Sequence, residues 1–242
     1  MLENDFQLSK TEFVAYLQCP MLFYLTRELN KRFNSLPPIS PSDYESFLQK
    51  GMEKHRWLQC FYQKYAVNIQ NGVYPQLSEK EKNEYWKKQF IEHEINRYNT
   101  NPLLWEPIAV ELYLSNGKYC GKPDRIDPLK EKGHCRVVEY KSLPREFDEE
   151  ELLFYAVLLT EVLPVNELPN IAQVSEIGIY YYTSGEFFQA KITPEIITIF
   201  KDYIEDIRND MLDLDLIKKK KKCDFDRTSC IEREICKRIV LG

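Results

Sequence analysis

Apolar positions three or four residues apart dominate the first hundred residues. Ser9-Lys10-Thr11-Glu12 has the pattern of a capping box, and Phe13, Tyr16, Leu17, Met21, Tyr24 and Leu25 follow at helical spacing. Pro37, Pro38 and Pro41 mark a loop, after which a second helix is predicted over about residues 42–65, carrying Gly51 and His55 one turn apart. Ser78-Glu79-Lys80-Glu81 repeats the capping pattern and predicts a third helix reaching Tyr98. The period then changes. Glu106 to Leu114 and Lys118 to Ile126 predict two strands joined at Ser115-Asn116-Gly117, and Cys135 to Lys141 predicts a third behind Gly133. Phe147 to Leu163 is predicted as an amphipathic helix, Val174 to Thr183 and Glu186 to Ile192 as a hairpin turning at Ser184-Gly185, and Pro194 to Leu216 as a last helix. This order predicts an α/β fold with a mixed central sheet flanked by helices.

The length of 242 residues predicts one integrated domain. Within it we expect a helical part over 1–100, a core over 101–216, and a terminal segment over 217–242. Hydrophobic residues make up 43% and charged residues 29%, the balance of a chain that buries a core. The longest apolar run, Leu152 to Leu159, is far too short to cross a membrane, and the acidic start lacks the basic and apolar parts of a signal peptide. A cytoplasmic protein is expected. The net charge is −5, but residues 217–242 carry nine Lys and Arg against four acidic residues, which leaves the rest of the chain at −10. An acidic body suits carboxylates gathered around divalent cations, and the basic run Lys218 to Lys222 is either a solvated stretch or a phosphate-contacting tail.

The candidate chemistry sits on the predicted central strands. Residues two apart on a strand share a face, so Glu139 and Lys141 point the same way. If the two strands pair, Asp124 joins them, which brings two carboxylates and an ammonium to one point. Such hard oxygen donors suit Mg²⁺ or Mn²⁺, with the Tyr140 carbonyl as a further donor. A metal so held can activate water and polarise a phosphodiester, while Lys141 steadies developing charge. The plainer alternative is that Glu139 and Lys141 are a solvent-facing pair on an amphipathic strand.

The chain carries, in order, Cys19-Pro20, Gly51 and His55, Gly121-Lys122-Pro123-Asp124-Arg125-Ile126-Asp127, Glu139-Tyr140-Lys141, Glu151 with Tyr155, and a cysteine trio at Cys223, Cys230 and Cys236. This arrangement resembles the PD-(D/E)XK nuclease superfamily, and within it the RecB-like iron–sulfur branch represented by the CRISPR-associated Cas-four exonucleases. The resemblance spans residues 9–236. It implies a metal-dependent exonuclease acting on single-stranded DNA, with 5′ to 3′ polarity, which trims fragments for CRISPR spacer acquisition alongside the integrase proteins. It also assigns His55, Asp124 and Glu139 as metal ligands, Lys141 as the catalytic lysine, Glu111 as an upstream acidic member, and Tyr155 with Glu151 as DNA-positioning residues. A [4Fe–4S] cluster on Cys19, Cys223, Cys230 and Cys236 is implied as well.

Two features depart from the family pattern. Glu151 stands where Gln is usual, and a carboxylate there would repel a phosphate. Six residues separate Cys223 from Cys230, where two are usual. By their chemistry alone, four thiolates suit iron–sulfur or zinc equally. Cys60, Cys120 and Cys135 read as core or surface thiols, and His93 and His134 as bystanders. Rival readings are the same chemistry in DNA repair or in a virus, and a DNA-binding scaffold that keeps the fold with little catalysis.

Overall fold

The computed structural model describes residues 6–20, 23, 52–163 and 171–212. Gly51, the lysine run and Cys223, Cys230 and Cys236 lie outside the described residues. Strand β1 (Leu8–Ser9) leads into helix α1 (Lys10–Gln18). The predicted capping box forms: the Ser9 side chain accepts from the Glu12 N–H, and the Glu12 carboxylate accepts from the Ser9 N–H. Residues 52–59 are helical and carry His55. Helix α2 (Phe61–Gln70), the one-turn helix α3 (Glu79–Lys82) and helix α4 (Tyr85–Thr100) follow.

Strands β2 (Ala109–Val110), β3 (Leu114–Ser115), β4 (Tyr119–Gly121), β5 (Arg125–Pro128) and β6 (His134–Lys141) precede helix α5 (Asp148–Val162). Strands β7 (Gln173–Tyr181) and β8 (Glu186–Lys191) and helix α6 (Pro194–Leu212) complete the order. The larger sheet runs β2-β5-β6-β7-β8, with β6 and β7 parallel and the other neighbours antiparallel. A parallel pair requires a crossover, and α5 supplies it. A smaller sheet runs β1-β4-β3. The mixed sheet with helices on both faces agrees with the predicted architecture.

Apolar residues fill both faces of the larger sheet. On one side Phe13, Leu152, Phe154, Leu158, Val174 and Ile204 bring α1, α5 and α6 against the strands. On the other, Phe61, Trp86, Phe90, Val138, Tyr140 and Tyr180 seat α2 and α4. Helix α5 is therefore enclosed along most of its length rather than amphipathic. Leu152 and every residue from Phe154 to Leu159 are buried, because the sheet, α1 and α6 surround it.

Three predicted elements are broken, each for a local reason. The strand expected from Glu106 to Leu114 ends at Val110. Glu111 has φ 53°, in the left-handed region that a side chain enters at a cost of about 1–2 kcal/mol. That turn sends the chain from the larger sheet into the smaller one. The strand expected from Lys118 to Ile126 splits between Gly121 and Arg125, where Pro123 has no N–H to give a ladder. The helix expected from Ser78 to Tyr98 breaks at Asn83 and Glu84, with Glu84 extended at φ −94°, ψ 91°. After the break, Trp86 meets Trp57 edge-on at 5.2 Å and Tyr182 at 5.7 Å.

Candidate active site

The antiparallel register of β5 and β6 pairs Arg125 with Val138 and Ile126 with Val137. One step further along, that register sets Asp124 opposite Glu139. The backbone around them is knotted by side-chain bonds. The Asp124 N–H donates to Glu139 Oε1 at 3.1 Å, and the Tyr140 N–H donates to Asp124 Oδ2 at 2.7 Å. Alternation on β6 turns Glu139 and Lys141 to one face and the Tyr140 ring to the other, where its hydroxyl accepts from Arg125 at 3.1 Å. The two carboxylates and the lysine thus share a pocket and are buried, which rules out the solvent-facing alternative.

Helical residues 52–59 deliver His55 over this point. Its Nδ1 lies 3.4 Å from Asp124 Oδ1. The hydrogen bond that its N–H donates to the Asp124 carboxylate holds the imidazole pKa above its ordinary value, despite partial burial. Glu111, thrown inward by its left-handed backbone, is tied to the same place: its N–H donates to the Asp124 carbonyl at 3.0 Å. Ligand atoms of His55, Glu111 and Asp124 all lie within 4.8 Å of one another. One imidazole and two carboxylates can be drawn onto a single divalent cation, and these donors fit Mg²⁺ or Mn²⁺. Glu139 adjoins this trio through its bond to Asp124, and its second oxygen lies 3.7 Å from Lys141 Nζ. Burial, with the neighbouring Asp124 charge added, pushes the Glu139 carboxyl well above the usual carboxylate range.

These groups line a cleft of about 790 Å³ that also contains Lys10, Lys122, Glu151 and Tyr155. Lys122 pairs with Glu111 at 2.6 Å. Glu151 is buried, and both of its oxygens are engaged, one by Lys141 and the other by Lys10 from the first turn of α1. Burial alone would raise the Glu151 carboxyl, but the two ammoniums outweigh it and hold the pKa below its ordinary value. The Glu151 charge is met by two cations. Tyr155 lines the cleft but is only 3% exposed, packed so tightly under Gly121 that a Cβ there would meet its ring at 2.6 Å. Cys19 caps the end of α1, is half-buried, and forms no disulfide among the described residues.

Reading the sequence missed a second polar cluster behind β6. Arg125 and Glu94 are fully buried and meet at 2.9 Å, and Asp127 takes Arg125 and Arg97 at 3.0 Å each. Glu94 also accepts from Tyr62 at 2.7 Å and Trp105 at 3.0 Å. His93, expected to be a bystander, packs beside this network against Phe90, Tyr180 and Phe187. The available signal was Arg125 and Asp127 flanking Ile126, which places both on one face of a strand. Lys10 was missed too, although a cation in the first turn of a helix runs against the macrodipole and so invites a second explanation.

The family model of the PD-(D/E)XK nuclease superfamily matches residues 7–237. The chain belongs to that superfamily, a class of nucleases that use divalent metals. No curated protein matches the chain. Among the described residues no helix is long and apolar enough to cross a membrane.

Proposed function

We propose that this protein is a metal-dependent exonuclease of single-stranded DNA. The observation that carries the reading is the convergence of His55, Glu111 and Asp124 within 4.8 Å, beside buried Glu139 and Lys141. His55, Glu111, Asp124 and Glu139 hold the divalent cation, with the Tyr140 carbonyl as a further donor. When bound, that cation supplies Lewis acidity toward a phosphodiester and toward water. The bonds from the Asp124 N–H to Glu139 and from the Tyr140 N–H to Asp124 hold these two carboxylates in place. Lys141, anchored by Glu151, presents an ammonium where negative charge develops on the phosphate. Tyr155 braces the Gly121 turn that leads to Asp124, and so positions the strand through the shape of the cleft.

The proposal extends to the ends of the chain and to the setting. Cys19 with Cys223, Cys230 and Cys236 holds a [4Fe–4S] cluster that ties α1 to the C-terminal segment. Cleavage runs 5′ to 3′ and trims DNA for CRISPR spacer acquisition beside the integrase proteins, in the cytoplasm. The support for this setting is the ordered set of motifs from Cys19 to Cys236. Pairing of the Glu151 charge with Lys10 and Lys141 favours the enzyme over the scaffold reading.

Digestion of end-labelled single-stranded DNA with Mn²⁺ tests the enzyme. Wild type should release short products progressively from the 5′ end, and Glu139→Ala and Lys141→Ala should not. Equal cleavage by all three preparations rejects the assignment. Absorbance near ~400 nm with bound iron supports the cluster, whereas colourless protein with stoichiometric zinc overturns it.

A further inference from the structure

Glu151 is the one buried carboxylate of the cleft with a lysine on each oxygen. Lys141 arrives from the end of β6 and Lys10 from the start of α1, 141 residues earlier in the chain than Glu151. The Lys10 ammonium stands 5.5 Å from the centre of the Tyr155 ring, inside the cleft that holds Asp124 and Glu139. Its side chain keeps 21% exposure, so it is seated and still reachable from solvent. A helix gains nothing from a cation in its first turn, because the exposed N–H groups there already carry positive partial charge. The position of Lys10 is therefore explained by the cleft rather than by α1.

We propose that Lys10 is a second phosphate-binding cation of this site, held in place by Glu151 beside Lys141. This rests on the nuclease reading and adds to it a substrate contact from the N-terminal helix. One carboxylate is shared between two ammoniums, so Glu151 alone does not neutralise both, and Lys10 lines the cleft beside Lys141. Burial works against the Lys10 charge, but Glu139, Glu151 and Asp124 outweigh it and raise the pKa, which favours the ammonium. A non-bridging phosphate oxygen of the bound strand is the group that such a cation takes.

The test compares wild type, Lys10→Met and Lys10→Arg. The probe is a fluorescein-labelled oligothymidylate with Ca²⁺ in place of the catalytic metal, and binding is followed by anisotropy over a range of salt concentrations. Each phosphate contact on a single strand contributes about 0.7 to the slope of log K against log salt. Lys10→Met should lower that slope by about 0.7 and weaken binding about tenfold, while Lys10→Arg keeps the wild-type slope. In cleavage assays Lys10→Met should raise KM about tenfold and leave kcat within about threefold. An unchanged slope and KM in Lys10→Met, with wild-type thermal unfolding, overturns the proposal. The slope is read without cleavage, so it decides the role of Lys10 even if wild type proves unable to cut DNA.

Discussion

Two buried charge clusters back onto opposite faces of β6, and they are built on opposite rules. Behind the strand, Glu94 and Asp127 face Arg97 and Arg125, and the charges balance: each carboxylate has two guanidiniums within 3.0 Å. In front of it, Asp124 and Glu139 lean on each other. Among the described residues their ion-pair neighbours are His55 at 3.4 Å and Lys141 at 3.7 Å. The ionisation follows. Burial works against the Glu94 charge, yet Arg97 and Arg125 hold its pKa down at about 2, while burial and Asp124 drive Glu139 well up. A charge-balanced network fixes α4 to the sheet. An unbalanced one leaves room for a cation from outside.

Removing one member of each cluster should separate them most strongly. Arg125→Met leaves two buried carboxylates with the single guanidinium of Arg97 and should cost about 3–5 kcal/mol in denaturant unfolding. Glu139→Gln keeps the acceptor for the Asp124 N–H and relieves a like-charge contact, so stability should hold or rise by about 1 kcal/mol. The functional contrast is the reverse: Glu139→Gln should lower cleavage by about 10²–10³ in kcat. A Glu139→Gln variant as unstable as Arg125→Met would erase the distinction between the two clusters.

Acid should act on the rear cluster in two windows. Burial holds His93 at about 4 in the fold against 6.5 ordinarily. The unfolded chain therefore binds the extra proton between those values, and stability falls as pH drops from 6.5 to about 4. Glu94, at about 2 against 4.5, adds a loss that begins below 4.5. Each window is worth at most about 3 kcal/mol. In His93→Phe the upper window should vanish from pH-dependent thermal unfolding while the lower one remains. A smaller effect is expected in front. Mn²⁺ at a hundredfold excess over its Kd should stabilise wild type by about 2.7 kcal/mol and leave Asp124→Asn nearly unmoved.

The front cluster was largely legible in the sequence and the rear one was not. Strand β6 announces itself through alternation, and its spacing from Asp124 fits a tight antiparallel connection, so Asp124, Glu139 and Lys141 could be placed together. Two serines followed by glutamate three residues on give the capping boxes of α1 and α3 directly. Glu111 was assigned to the middle of a strand, because a left-handed glutamate leaves no local mark in composition. The Arg125–Glu94 pair joins β5 to α4 across 31 positions. Only the packing of Phe90 and Ile91 into the sheet decides that meeting, and periodicity does not report which helix covers which strand. The contact of Lys10 with Glu151 was hidden for the same reason.

Manganese binding to the metal-free protein, followed by titration calorimetry for wild type and Asp124→Asn, probes the front cluster most directly. Wild type should bind Mn²⁺ saturably, and the variant at least about tenfold more weakly with its fold intact. Equal affinity in both would show that His55, Glu111 and Asp124 do not gather an ion.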